Sequence, residues 1–168
     1  MKVAGALAAI ALALALQTTM DRFLVRGAGA VDLVLVAVVY VALTNGPVGG
    51  MFAGSLAGLI QDSLATGLVG VGGLAKAIVG FFAGAVGQQF IVTAALPRLV
   101  MFVAATFVHS AVFMGLYVVL GLRTFPSPWA TVTRQALANA VVGMIAFTVI
   151  EAVPGIVERR RMSRRARH

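Results

Sequence analysis

Apolar residues fill this chain in long runs, and polar residues are concentrated in the short breaks between the runs. A helix needs about 20 predominantly apolar residues, with a range of about 17–25, to cross the hydrocarbon core of a membrane. The pattern therefore predicts an all-α integral membrane protein. It indicates about six transmembrane helices, over residues 3–20, 30–44, 47–65, 72–93, 99–122 and 133–153. The second segment is short for a full crossing, so five crossings are the alternative.

The composition agrees with this membrane assignment. Of the 168 residues, 61% are hydrophobic and 11% are charged, and the mean hydropathy is +1.03. A soluble domain is typically about 25% charged. The chain has no cysteine, which excludes disulfides, thiolate metal sites and cysteine nucleophiles. We expect one polytopic membrane domain over residues 1–158 and a basic tail over residues 159–168.

The basic residues indicate the orientation of the chain. The net charge is +8, and six of the 13 basic residues lie in the last ten positions. Such a tail favours an anionic lipid surface over nucleic acid. Short cytoplasmic segments carry the excess of Lys and Arg, so the C-terminus is predicted to be cytoplasmic, and six crossings put the N-terminus there too. The first segment also resembles a signal peptide, and its cleavage would leave five crossings.

Glycines are concentrated in the middle of the chain, where 12 of 19 fall between Gly46 and Gly87. Many of them recur every fourth residue. Small residues at this spacing let membrane helices approach closely. We therefore predict that the third and fourth segments form a tight hairpin with its glycines buried against other helices. These glycine rows consist of Gly46, Gly50, Gly54 and Gly58, followed by Gly72, Gly80 and Gly84.

Asp62 and Lys76 are the only charged residues of this hairpin, and they lie equally far from the turn between its two helices. An unpaired charge in a membrane is costly, so the spacing predicts an ion pair between them. A structural pair that fixes the hairpin is favoured over a proton or ion site, because such pairs mostly serve packing.

Three more ionisable residues lie in or beside the apolar segments. Asp32, near the start of the second segment, is predicted to cap that helix, with a contact to a partner as the alternative. His109, central in the fifth segment, suits a hydrogen-bonded contact between helices, or a proton relay. Glu151 is expected to interact with Arg159 and its neighbours.

Arg134, Gln135 and Asn139 begin the sixth segment. They are predicted to form a polar outer rim, and an ordinary interfacial anchor is the alternative.

Motifs for catalysis or cofactor binding are missing from the sequence. Residues 70–75 match the GxGxxG/A pattern, but they do not follow a strand of a βαβ unit. Lys76 is flanked by alanines and does not complete a phosphate-binding loop. No second histidine or nearby acid completes a metal site with His109. We therefore expect no enzymatic activity, no cofactor and no metal.

The middle of the chain resembles the rod shape-determining protein MreD family. The resemblance rests on VDLVLVAVVYVAL (31–43), NGPVGGMFAGSLAGLIQDSLA (45–65) and GLVGVGGLAKAIVGFFAGAVGQ (67–88). Asp32, Asp62 and Lys76 occupy the charged positions of the family pattern. Val31 stands where a proline usually precedes the first aspartate.

This resemblance implies a fold similar to the substrate-binding component of energy-coupling-factor transporters. It also implies a non-enzymatic inner-membrane component of the bacterial cell-elongation machinery, which scaffolds or regulates lateral peptidoglycan synthesis and rod shape. The implied partners are an MreC-like bitopic protein, an MreB-like actin filament, and RodA with its transpeptidase. The alternative is the membrane subunit of an energy-coupling-factor vitamin transporter. A vitamin pocket needs convergent polar and aromatic groups, of which the sequence offers few.

Overall fold

The computed structural model describes residues 3–23, 31–65, 68–90 and 94–165 of the chain. This part of the chain is all-helical, with five helices. They are α1 (Val3–Phe23), α2 (Leu33–Leu64), α3 (Val71–Gln89), α4 (Ala95–Val119) and α5 (Trp129–Arg165). The difference from the six predicted helices lies in α2, which contains both the second and the third predicted segment.

Four of these helices are long and apolar enough to cross a membrane: α2, α3, α4 and residues 129–152 of α5. A fifth, shorter apolar stretch covers Ala4–Met20 in α1. The chain is therefore a multi-pass membrane protein.

A sharp reversal interrupts α2 at Gly46, inside the predicted Asn45–Pro47 turn. Gly46 has φ 79° and ψ −176°, a conformation that glycine adopts without steric cost. In a continuous helix, residues eight positions apart lie about 12 Å from each other. Yet a Cβ built on Gly50 would lie only 2.6 Å from the Cβ of Ala42. The chain therefore turns back at Gly46, and α2 consists of a first arm (33–45) and an antiparallel second arm (47–64).

The second arm of α2 and helix α3 approach each other backbone to backbone. Gly54 faces the carbonyl of Lys76, and Gly50 and Gly80 face each other's carbonyl groups. Nearer the reversal, a Cβ on Gly84 would lie 2.5 Å from the carbonyl carbon of Gly46. There is no room for a side chain at these positions. The predicted tight packing of the glycine rows is confirmed.

The first arm of α2 is the centre of the hydrophobic core. Its residues 34–39 are all buried. One side of the arm packs against α3, α4 and α5, through a cluster that includes Leu35, Val36, Val39, Ala42, Val79, Ala83, Phe102, Ala140 and Phe147. The other side packs against α1 and the second arm, through Ile10, Leu14, Val34, Val38, Val41, Ala53 and Ala57.

Arg98 joins α4 to α5 at the end of the molecule where α4 begins. Its guanidinium group donates to both carboxylate oxygens of Glu151, at 2.9 and 2.5 Å, and lies 4.5 Å from the ring centroid of Phe147. Arg98 is thus a partner of Glu151 that was not predicted, and the expected contact of Glu151 with Arg159 and its neighbours stays a prediction. The side chain of Arg159 lies outside the described residues.

Replacing Gly54 by alanine should lower thermal stability in detergent, because the new methyl group would collide with the backbone of α3 at Lys76. Overpacking of this kind costs about 1–3 kcal/mol. Gly115→Ala is the matched control, because a Cβ there meets nothing within 4 Å. The control should be neutral or slightly stabilising, since alanine favours helix over glycine by up to about 1 kcal/mol. Equal melting temperatures for Gly54→Ala and the unmodified protein would contradict the close packing.

A candidate binding pocket over a buried ion pair

Asp32 begins the site, because it caps the first arm of α2. Its Oδ1 accepts a hydrogen bond from the backbone N–H of Leu35 at 2.8 Å. This cap satisfies one of the N–H groups that lack a partner in the first turn of a helix. The predicted helix cap is therefore confirmed, and the residue is only 6% exposed.

Lys76 of α3 forms a buried ion pair with Asp32. The Lys76 Nζ lies 2.8 Å from Asp32 Oδ2, and the two side chains are 4% and 9% exposed. Either charge would be costly to bury alone, and together they balance. The pair connects the start of α2 to the first half of α3.

Asp62 has a different role from the predicted one. Its Oδ2 accepts hydrogen bonds from the backbone N–H groups of Gly70, Gly72 and Gly73, at 2.9, 2.9 and 3.2 Å. It thereby caps the start of α3, where a negative charge is favourable. The predicted ion pair between Asp62 and Lys76 is wrong, because the reversal at Gly46 brings Asp32 to Lys76 instead. The equal distance of Asp62 and Lys76 from the hairpin turn therefore did not identify the partner of Lys76.

Two polar side chains from other helices hold the start of α2. Asn139 Oδ1 of α5 accepts a hydrogen bond from the backbone N–H of Asp32 at 2.8 Å. Gln17 Oε1 of α1 accepts one from the backbone N–H of Leu33 at 2.9 Å. Gln17 was missed in the sequence analysis, although a lone amide in an Ala- and Leu-rich segment is a usable signal for such a contact.

His109 of α4 lies beside the ion pair. Its Nε2 is 3.8 Å from Asp32 Oδ2, too far for a hydrogen bond. Its buried Nδ1 has no hydrogen-bond partner among the described residues, so the expected hydrogen-bonded contact is not formed at this atom. Aromatic rings continue from the imidazole: Phe113 at 5.8 Å, then Tyr117 at 4.8 Å from Phe113, then Phe125 at 6.3 Å from Tyr117.

Beside the ion pair lies a pocket of about 300 Å³, hereafter the polar pocket. Its lining includes Asp32, Lys76, His109, Phe113 and Phe125. Gln61 also lines it, and its Oε1 is a second buried polar atom without a partner among the described residues. Few convergent polar and aromatic groups were predicted, but the fold brings such groups together from α2, α3, α4 and α5.

The predicted polar rim at the start of α5 divides into three separate environments. Asn139 is 1% exposed and lies in the core. Gln135 lines the polar pocket, whereas Arg134 is exposed and is not among the residues that line it. The predicted glycines of the second arm of α2 and of α3 lie close to neighbouring backbone or side chains and do not line the pocket: Gly50, Gly54, Gly58, Gly80 and Gly84.

The arrangement suits binding. The two buried charges neutralise each other, and two residues of the lining, His109 and Gln61, each have a buried polar atom without a hydrogen-bond partner among the described residues. Within the described ranges, no group of three or more His, Cys, Asp or Glu side chains could hold a metal ion.

Comparison with known proteins gives a family match over nearly the whole chain. The model of the family described as rod shape-determining protein MreD matches residues 3–152. No curated protein and no solved structure matches the chain.

A double-mutant cycle should reveal which acid is paired with Lys76. Asp32→Asn and Lys76→Met should each lower the free energy of unfolding strongly, since removing one partner of a buried pair costs about 3–5 kcal/mol. The double variant should lose less than the sum of the two. Thermal or denaturant unfolding in detergent measures both.

A matched double-mutant cycle tests Asp62 in place of Asp32, with the variants Asp62→Asn and Lys76→Met. Asp62→Asn weakens a helix cap, which typically costs about 1 kcal/mol, and its effect should add to that of Lys76→Met. Coupling of Lys76 to Asp62 instead of Asp32 would contradict the observed geometry.

Proposed function

Since the chain belongs to the rod shape-determining protein MreD family, we propose that it is a non-enzymatic scaffold or regulator of lateral peptidoglycan synthesis. The family acts in rod shape determination and is associated with the MreBCD shape machinery. In this role, the protein binds a partner of the elongation machinery in the polar pocket and holds it in place in the membrane.

The observation that carries this proposal is a pair of buried polar atoms without hydrogen-bond partners among the described residues, on two residues that line the polar pocket. The residues are His109 and Gln61, the atoms are Nδ1 and Oε1, and the pocket has a volume of about 300 Å³. A buried polar atom without a hydrogen bond is costly, so an occupant that supplies N–H donors is stabilised there. A peptide segment has such donors along its backbone, and its side chains could pack on the aromatic residues from Phe113 to Phe125.

The site is also built to be rigid, which favours binding. Its floor is fixed by the ion pair of Asp32 and Lys76, by the caps on α2 and α3, and by the glycine packing beneath them. A preorganised site loses little conformational entropy when a partner docks.

The proposed partner in the pocket is an MreC-like bitopic protein. The polar pocket lies at the end of the bundle away from Gly46 and from the C-terminal end of α5. With the protein in the inner membrane and both termini in the cytoplasm, this end faces the periplasm. A bitopic protein can present the segment next to its membrane helix there. RodA with its transpeptidase would contact the assembly laterally, and an MreB-like filament would contact the cytoplasmic end, where the tail meets anionic lipid.

The vitamin-transporter alternative has no support from the comparisons. A polar pocket alone does not distinguish a vitamin from a peptide, and the family match over residues 3–152 concerns cell shape.

Filling the pocket should block partner binding. Ala65 lines the polar pocket and is exposed, so Ala65→Trp should occupy space there while the helices remain packed. Ala95→Trp is the matched control, because Ala95 is an exposed alanine at the start of α4, at the opposite end. We expect Ala65→Trp to abolish co-purification of the MreC-like partner and rod-shape complementation, and Ala95→Trp to preserve both.

Normal partner recovery with a folded Ala65→Trp protein would place the docking surface elsewhere. Recovery of paired ATPases with a membrane coupling subunit, in place of the MreC-like protein, would support the transporter alternative.

The proposed orientation is tested by a reporter fused after His168. A cytoplasmic reporter should be active and a periplasmic one inactive, because six arginines precede the fusion point. Deleting residues 159–168 should weaken function only partly, since the pocket is in the membrane-embedded region. Activity of a periplasmic reporter would reverse the orientation.

A further inference from the structure

A buried hydrogen-bond relay connects α5 and α4 to the start of α2. Asp32 donates its backbone N–H to Asn139 Oδ1 at 2.8 Å, Asn139 donates its Nδ2 to Thr106 Oγ1 at 3.0 Å, and Thr106 donates its hydroxyl to the carbonyl of Phe102 at 2.8 Å. Asn139 and Thr106 are 1% and 0% exposed. Water therefore does not compete for these bonds.

The relay fixes the orientation of the Asn139 amide. Thr106 donates its single hydroxyl proton to the carbonyl oxygen of Phe102, so the Thr106 oxygen can only accept a hydrogen bond from Asn139. The Asn139 amide must then direct its NH₂ group to Thr106 and its oxygen to the N–H of Asp32. A buried amide with both ends assigned in this way has one favourable orientation.

The backbone of Asp32 depends on this contact. Asp32 precedes the first turn of α2, with φ −109° and ψ 89°, so the helix itself gives its N–H no partner. Its two carboxylate oxygens serve Leu35 and Lys76. The direction of this carboxylate follows from the backbone position that Asn139 holds.

We propose that Asn139 is a positioning residue for the buried ion pair: by holding the N–H of Asp32, it aims the carboxylate at Lys76 and keeps the floor of the polar pocket neutral. Gln17 does not fill this role, because it binds the next N–H, that of Leu33. The direction of the Asp32 carboxylate thus depends on one side chain of α5.

The two lysines of the sequence, Lys2 and Lys76, allow a direct test. Acetic anhydride acetylates uncharged amines, and both burial and the pairing with Asp32 protect Lys76. Trace acetylation of the full chain in lipid nanodiscs, followed by peptide mass spectrometry, gives the Lys76 reactivity relative to Lys2. Asn139→Ala should raise this ratio about fivefold, the change expected from loss of one buried hydrogen bond of ordinary net strength.

The same experiment distinguishes a specific effect of Asn139 on Asp32 from a general loss of helix packing. Asp32→Asn should raise the ratio as well, and adding Asn139→Ala to it should give no further increase, because Asn139 acts through Asp32. Gly143→Ala is the structural control: its Cβ would lie 2.5 Å from the Phe102 ring, which disturbs α4–α5 packing but keeps every group of the relay. This control should leave the ratio unchanged.

Two results would overturn the proposal. One is an unchanged ratio in Asn139→Ala while Asp32→Asn raises it, and the other is an equal rise in Gly143→Ala. If Asn139→Ala does not fold, Thr106→Val takes its place, because it keeps the shape of Thr106 and removes the acceptor that orients Asn139. No partner is needed, so failure here leaves the proposed function untouched.

Discussion

The burial of one lysine in the membrane domain is the constraint on which the rest of the structure depends. Lys76 is 3% exposed in a helix that is otherwise apolar or glycine-rich, and an unpaired ammonium group there would be strongly destabilising. Its partner, Asp32, is 44 positions earlier in the chain and can reach it only because α2 turns back at Gly46. The ion pair therefore depends on the reversal at Gly46, which also places the first arm in the centre of the core.

Close packing of helix backbones makes the ion pair between Asp32 and Lys76 possible. The second arm of α2 and α3 meet through glycines that leave no space for a Cβ, which brings the first arm within reach of α3. In lipid, where apolar side chains gain little by leaving their surroundings, such contact gains its stability from dispersion and from the small size of the residues. A lysine and an aspartate can then be held at 2.8 Å inside the membrane domain.

Periodic features were predictable from the sequence, and pairings across the fold were not. The glycine rows, the apolar segments and the turn near Gly46 are local patterns, and the structure shows each of them. The partner of Lys76 depends on which helices become neighbours, so the equal spacing of Asp62 and Lys76 from the turn predicted the wrong acid. The contact of Arg98 with Glu151 likewise depends on α4 and α5 being neighbours. The polar pocket escaped prediction for the same reason: Gln61, His109 and Gln135 belong to three helices, and each alone looks like an isolated polar residue in an apolar segment.

The reversal at Gly46 has a consequence for how this protein enters the membrane. At about 1.5 Å per residue, the first arm (33–45) is about 20 Å long, well short of the ~30 Å hydrocarbon core. Its N-cap residue, Asp32, also carries a charge whose partner, Lys76, lies 44 positions later in the chain. The first arm is thus a poor independent insertion unit. We expect it to be stable in the bilayer only together with α3, which supplies the partner of Asp32.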